Sequence, residues 1–259
     1  MIGIFDSGVG GLTVVKEVFK QLPNHQIIYF GDTARLPYGT KGEVFVKRYS
    51  KKITQWLLDN GANVIVIACN TSSAWAADYL KKEFPNVPIF EMINPAINDA
   101  KDISTNRRVG VIATPGTIKS NIYVKKLKGY KVFSKACPLF VPLVEEGWIN
   151  DDIAIKVANK YLSTLKQSKI DTLVLGCTHY PLLQNIIRKI MGNKVKIINP
   201  AFTITKNLKE FLKLNPLIIK KTSKNPSHIF HFSDNPYNFE KISHICFKKK
   251  LKIKISDPF

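Results

Sequence analysis

Two stretches of this chain end a β-branched run in the same way. Val64-Ile65-Val66-Ile67-Ala68-Cys69-Asn70-Thr71 is matched by Thr172-Leu173-Val174-Leu175-Gly176-Cys177-Thr178-His179, so that Cys69 and Cys177 fall at the same place in each. A second pair keeps nearly the offset between those cysteines: Gly3-Ile4-Phe5-Asp6-Ser7-Gly8 resembles Gly110-Val111-Ile112-Ala113-Thr114-Pro115-Gly116. Two matched pairs at one spacing predict a duplicated unit. In each copy a first strand ends in a small polar turn, and a later strand ends in Cys followed by a hydrogen-bonding residue.

The pattern around these blocks sets the fold class. Short apolar, β-branched runs predict strands at Ile2 to Phe5, Gln26 to Phe30, Val64 to Ala68, Ile89 to Met92, Val109 to Ala113, Thr172 to Leu175, Val195 to Ile198 and Ile229 to Phe232. Apolar residues at helical spacing predict helices over Leu12 to Gln21, Val44 to Asn60, Ser73 to Phe84, Ile118 to Leu127, Asp151 to Gln167 and Pro181 to Met191. Strand, crossover helix, strand is the signature of a mostly parallel sheet, so the class is α/β. With 259 residues, 45% of them apolar, the chain has room for one or two domains and a sizeable core. No run approaches the roughly 18 apolar residues of a membrane span, and Met1 to Phe5 lead straight into Asp6 rather than into a basic leader. A cytoplasmic chain with no membrane partner is expected.

Cys69, Cys137, Cys177 and Cys246 contain no CxxC pair and fit no familiar zinc spacing, which argues for free thiols in a reducing compartment and for no bound metal. The charge is unusual: 39 Lys and Arg against 19 Asp and Glu leave +20. Such a balance invites an anionic partner. The lysines are scattered, however, with short clusters at Lys51-Lys52, Lys125-Lys126, Lys220-Lys221 and Lys248 to Lys250, and no basic aromatic motif of an RNA-recognition module accompanies them. Nucleic-acid binding is therefore possible but not favoured over a solvated basic face.

Ligands of open parallel sheets sit beyond the carboxyl ends of the strands, so Cys69 and Cys177 both point toward ligand space. If the two copies face each other, the thiols reach one cleft from opposite sides. Cys137 and Cys246 lack that context and read as buried core cysteines. Asp6-Ser7-Gly8-Val9-Gly10-Gly11 opens a helix after a strand and suits a small carboxylate; as a dinucleotide fingerprint it is weak, because GxGxxG is only partly met. Gly31-Asp32-Thr33-Ala34-Arg35-Leu36-Pro37-Tyr38-Gly39 is a long polar turn, either a plain surface loop or a ligand-positioning one. His179, two residues from Cys177, tunes a thiol or binds a metal, the latter less favoured without other clustered ligands. His25, His228, His231 and His244 read as structural or exposed. Glu145-Glu146-Gly147 caps an apolar run or supplies a carboxylate beside a cleft.

Two opposed cysteines admit three chemistries. Disulfide exchange wants sulfurs close together, commonly as CxxC. Acyl transfer needs one nucleophile with a base and an oxyanion hole, so a second thiol is superfluous. Inversion of a carbon stereocentre needs one group to remove a proton from one face and another to deliver a proton to the opposite face. A thiol pKa near 8.5, lowered modestly, suits either role. Nothing marks a Schiff-base lysine or a phosphate cradle, so a cofactor-free reaction is expected, with Ser7, Asn70, Thr71, Thr178 and backbone N–H groups stabilising the carbanion and holding the substrate.

At these residues the chain resembles the glutamate racemases. The matching blocks are Ile4 to Gly11, Phe30-Gly31-Asp32 through Pro37-Tyr38-Gly39, Ala68 to Thr71, Ala113 to Thr117, Val141 to Gly147 and Leu175 to Leu182, with Phe232-Ser233-Asp234 similar to the family's last strand. The resemblance implies a fold of two pseudosymmetric α/β domains around an interdomain cleft, here 1–94 plus 204–259 and 95–203. It implies that Cys69 removes the α-proton of D-glutamate and Cys177 that of L-glutamate. Asp6 would assist Cys69, and His179 would assist Cys177. Ser7, Tyr38, Gly39, Asn70, Thr71 and Thr178 would hold the substrate, together with Asp6 and His179. Glu146 would be the carboxylate on the Cys177 side, with Glu145 as the alternative. A homodimer and a product that feeds peptidoglycan synthesis are implied as well.

Asn94 and Asn199 depart from acidic residues often found at those places in the family, which bears on domain packing or regulation more than on chemistry. From Lys206 to Phe259 the resemblance is thinnest, and 12 Lys face 4 acidic residues. The competing readings are an aspartate racemase of the same superfamily and a basic protein that binds nucleic acid or an enzyme on a racemase-like scaffold.

Overall fold

The computed structural model describes residues 1–218, 226–248 and 251–259. Its strands are β1 (Ile2–Asp6), β2 (Ile27–Gly31), β3 (Val64–Ile67), β4 (Ile89–Glu91), β5 (Arg108–Ala113), β6 (Lys131–Ala136), β7 (Thr172–Gly176), β8 (Lys196–Ile198), β9 (Ile229–Phe232) and β10 (Lys254–Ile255). They build two parallel sheets, one in the order β10-β9-β2-β1-β3-β4 and one in the order β6-β5-β7-β8. The first four strands and the next four therefore follow the same order, which is the duplication in three dimensions. The register repeats too: Ile2 faces Val64 as Val109 faces Thr172, and Gly3 faces Ile65 as Gly110 faces Leu173. Both glycines are there for space. A Cβ on Gly3 would lie 2.8 Å from Ala62 Cβ, and one on Gly110 would lie 2.4 Å from Ile170 Cδ1.

Each sheet is covered on both faces, which explains why its central strands read as continuous apolar runs. On the first sheet, α2 (Glu43–Asp59) and α3 (Asn70–Glu83) bury Ile53, Leu57, Ala76 and Leu80 against Phe5, Ile28, Phe30, Ile65 and Ile67. α1 (Leu12–Gln21) covers the other face with Val14, Val15 and Val18 against Ile2, Ile4, Tyr29 and Val66. On the second sheet, α4 (Ile93–Ile103), α5 (Pro115–Lys119) and α6 (Ile122–Lys126) precede α7 (Phe140–Glu145), α8 (Asp152–Gln167) and α9 (Gln184–Met191). Ile93, Ile97 and Tyr123 pack on Val109, Val111 and Val174, whereas Ala158, Leu162 and Ile187 share a core with Leu173 and Leu175. Each fully buried Leu or Ile contributes about 1.5–3 kcal/mol. α10 (Pro200–Leu214) touches both α1 and α4, and α11 (Phe239–Phe247) lies against α1 and α7. No described helix is long and apolar enough to cross a membrane.

The eight expected strands are present with ends shifted by a residue or so, and β6 and β10 are additional to them. β6 is a half-exposed edge strand, Lys-Val-Phe-Ser-Lys-Ala, whose lysines hide its alternation, and β10 is two residues long. The helices α4, α7, α10 and α11 are additional as well. The first three each carry a proline in the first turn, at Pro95, Pro142 and Pro200. Proline there breaks nothing, because first-turn N–H groups have no partner within the helix. The expected helix over Ile118 to Leu127 is two short helices, since Asn121 sits between them in the left-handed region at φ 58°. The one expected over Pro181 to Met191 begins with a 3-10 turn at Tyr180–Leu183. Asn199 caps α10 by accepting from the Ala201 N–H at 3.1 Å, and Asn94 accepts from Lys126 Nζ at 2.8 Å, so both departures from the family pattern have packing roles. Lys220-Lys221 and Lys249-Lys250 lie outside the described residues.

Candidate active site

β1, β3, β5 and β7 all end at one cleft, and the turns after them line it. Ser7 and Gly8 come from the first, Cys69, Asn70 and Thr71 from the second, Thr114 from the third, and Cys177, Thr178 and His179 from the fourth. Leu36 to Gly39, after β2, and Val141 and Glu145, on α7, complete the walls. Thr114 follows Ser7 at the same offset as Gly110 follows Gly3, so the repeat itself singles it out as the Ser7 counterpart. Thr117, Val141 and Leu36 carry no comparable signal.

Two seams of glycine hold the units together. At the first, a Cβ on Gly10 would lie 2.4 Å from the His179 ring and from Thr178 Oγ1, and Thr13 Oγ1 donates to the Thr178 carbonyl at 2.8 Å. Gly10 thus packs on side chains of the second unit instead of opening toward a small carboxylate. At the second, a Cβ on Gly39 would lie 2.7 Å from Thr114 Cβ, and one on Gly116 would lie 3.0 Å from the Gly39 carbonyl. Beside it the Thr71 hydroxyl meets those of Thr114 and Thr117 at 2.9 and 3.2 Å.

Cys69 is the N-cap of α3, where its sulfur accepts from the Ser72 N–H at 3.4 Å and meets Ser7 Oγ at 3.8 Å. Burial pushes the Cys69 thiol up to about 11, and the Asp6 charge acts in the same sense, against the lowering pull of the Ser72 and Ser7 contacts. On the opposite wall Cys177 Sγ lies 3.7 Å from His179 Nδ1, and His179 Nε2 lies 2.9 Å from Glu145 Oε1. Burial disfavours charge on His179, but its bonds to Cys177 and Glu145 outweigh that and lift it to about 10. Contacts with Cys177 and Glu145 thus favour the charged form of the buried His179 ring.

Asp6 is 1% exposed. Its oxygens accept from the Gly8 N–H at 3.1 Å and the Thr178 hydroxyl at 3.4 Å, so it binds across the seam and reaches Cys69 through charge alone. Burial raises its pKa, with the His179 cation and those N–H and O–H donors opposing. The Tyr38 hydroxyl donates to Asp32 Oδ2 at 2.6 Å. Both polar atoms of the Asn70 side chain, 2% exposed, have no partner among the described residues. An amide buried without partners costs about 1–3 kcal/mol, which a polar ligand would recover.

One expectation is corrected. Glu146 turns away from the cleft: it borders an outer patch with Trp148 and Ile153, and Lys241 Nζ lies 3.8 Å from its carboxylate. Glu145, one position earlier on the helix and about 100° round it, faces His179. Cys137 and Cys246 are buried, as are Cys69 and Cys177.

Two copies of one α/β unit that each present a cysteine to a shared cleft make up an amino-acid racemase. The Asp/Glu/hydantoin racemase model matches residues 3–206, and the chain belongs to that family. It is 44% identical over 254 residues to the glutamate racemase of Geobacter metallireducens, covering 96% of this chain and 93% of that protein. The glutamate racemase of Aquifex aeolicus is also 44% identical, over 98% of this chain and 97% of that one. In structure, the glutamate racemase of Francisella tularensis in complex with D-glutamate superposes with a TM-score of 0.90 at 38% identity, covering 98% of this chain and 96% of that one.

Proposed function

We propose that this chain interconverts L- and D-glutamate by proton transfer between Cys69 and Cys177, without a cofactor. One thiolate takes the α-hydrogen as a proton and becomes a thiol, leaving the electron pair on the α-carbon and its carboxylate. The opposite thiol then gives its proton to the other face and becomes a thiolate. The observation that carries this reading is the placing of both sulfurs on one cleft, each with its own polarising partners. Cys69, held as a thiol, is suited to deliver a proton, and Cys177, with the His179 ring 3.7 Å away to receive or return a proton, is suited to take one. Starting from L-glutamate, Cys177 removes the proton and Cys69 delivers one; starting from D-glutamate, the two roles are exchanged.

The unpartnered Asn70 amide, Ser7, Thr71, Thr178, Tyr38 and Gly39 hold the substrate, while Asp6, His179 and Glu145 tune the thiols. The names of the relatives support glutamate over aspartate. The domain division 1–94 plus 204–259 against 95–203 belongs to the same reading and is supported by which sheet each strand joins. So do a cytoplasmic setting, a peptidoglycan role for the product, and a homodimer. The exposed Leu139, Trp148 and Ile153 side chains support the last, and light scattering tests it.

The test is racemisation in heavy water with no cofactor added. Starting from L-glutamate, the D-product is expected to carry deuterium at the α-carbon, and Cys69→Ala and Cys177→Ala are each expected to abolish net conversion. Product that keeps its original hydrogen refutes the two-thiol mechanism, and faster turnover of aspartate refutes the substrate.

A further inference from the structure

Tyr38 and Gly39 form a wall of the cleft, yet they sit on a loop, 32–41, that contains only two short 3-10 turns, Thr33–Arg35 and Tyr38–Thr40. What fixes that loop is a chain of polar contacts beginning far away in sequence. Asp32, fully buried, accepts from Tyr38 Oη at 2.6 Å on one oxygen; on the other it accepts from Ser233 Oγ at 2.7 Å and Arg35 Nη1 at 2.8 Å. Arg35 Nη2 in turn donates to both oxygens of Asp257, at 2.9 and 2.7 Å. The guanidinium is enclosed by rings, with the Tyr49 and Phe259 centroids 4.8 and 5.1 Å from its central carbon.

The segment that supplies Asp257 and Phe259 is itself docked. β10 pairs in parallel with β9, the Ser256 N–H donates to the Phe232 carbonyl at 2.8 Å, and Ser256 Oγ meets His231 Nδ1 at 2.9 Å. The Phe259 ring packs 5.7 Å from Phe30 and 6.2 Å from Tyr49, between centroids. β10 stands at the edge of the sheet, and its two residues are exposed, so it adds little burial of its own. Side chains of the residues after it instead converge on one cation, which a buried carboxylate links to the phenol of the cleft wall.

We propose that Asp257 and Phe259 are positioning residues for the substrate: through Arg35 and Asp32 they latch Tyr38 and Gly39 in the geometry that binds glutamate. Loosening the latch leaves the two thiols and their partners His179, Glu145, Ser7 and Ser72 untouched, because none of these belongs to the chain of contacts. The loss therefore falls on substrate binding, not on proton transfer. This inference rests on the glutamate reading above for its kinetic arm only.

The test uses Asp257→Asn, Phe259→Ala and Asp257→Glu in the full chain. KM for glutamate is expected to rise by about five- to thirty-fold in the first two, the factor that one weakened charge-assisted contact produces. Turnover is expected to stay within about twofold, and Asp257→Glu, which keeps the fork to Arg35, to recover most of the binding. Hydrogen exchange is read in parallel without substrate: amides of residues 31–41 are expected to exchange faster in Asp257→Asn, with 64–67 and 172–176 unchanged. Unaltered exchange over 31–41 overturns the latch whatever the substrate is. Faster exchange with an unchanged KM, or a fall in turnover alone, overturns the positioning role. Wild-type protein that fails to turn over glutamate defeats the earlier reading, and the exchange experiment still decides the latch.

Discussion

Gly10→Ala isolates the contact between the two units. Gly10 does not lie in the left-handed region, so alanine meets no backbone penalty there and the whole effect is steric. The added Cβ would stand 2.4 Å from His179 Cε1 and Nδ1 and from Thr178 Oγ1, and ordinary contact requires about 1 Å more. The ring cannot swing out of the way cheaply. It is 5% exposed and tied to Cys177 at 3.7 Å and to Glu145 at 2.9 Å. A retreat of about 1 Å carries one of those partners beyond hydrogen-bond range. Overpacking of this kind costs roughly 1–3 kcal/mol, and a chain of this size loses about 2–4 °C of Tm per kcal/mol. Misplacing a catalytic partner by about 1 Å lowers the rate about 10²-fold. The expected result is thus a Tm lower by about 2–12 °C and a kcat/KM for glutamate lower by about 10²-fold, followed by circular dichroism in both directions. Gly42→Ala is the control for the clash: nothing lies within 4 Å of its Cβ position, and its stability is expected to fall by no more than about 1 kcal/mol, the cost of exchanging Gly for Ala at the N-cap of α2, with activity unchanged. A Gly10→Ala protein with wild-type Tm and full activity would refute the account of the seam.

Two more outcomes follow from the His179 side of the cleft. Glu145→Gln removes the carboxylate that supports the His179 cation and is expected to cost about ten- to a hundred-fold in kcat/KM, whereas Glu146→Gln, outside the cleft, is expected to stay within about twofold; the reverse order in steady-state rates would restore Glu146 as the cleft carboxylate. Because the His179 pKa is raised from 6.5 to about 10 on folding, its stabilisation is complete below about pH 6.5 and is lost as the pH climbs toward 10. The Cys69, Cys137 and Cys246 thiols, raised from 9.0, lose theirs only above about pH 9. Urea titrations between pH 6.5 and 9 are therefore expected to show falling stability in the wild type and a flatter profile in His179→Asn; identical slopes would count against a buried imidazolium.

Fold class, duplication and both thiols are legible in the order of residues alone. Alternation and apolar runs are local properties of a strand buried on both faces, and a repeated unit leaves its offset in the chain. Ser7 and Thr114 show how far that logic reaches, since one predicts the other. What depends on direction emerges only once the chain is packed. Glu145 and Glu146 are indistinguishable as letters, and only the rotation of α7 turns one toward His179 and the other toward Lys241. The prolines of α4, α7 and α10 look like helix breakers until the first turn places them where no hydrogen bond is lost. Gly10 reads as part of a turn suited to a small carboxylate, but its role comes from the His179 ring, which the second unit brings up against it. Arg35 and Asp257 meet only because a sixth strand joins the first sheet. Contacts between distant segments are set by packing, and packing leaves no period in the sequence.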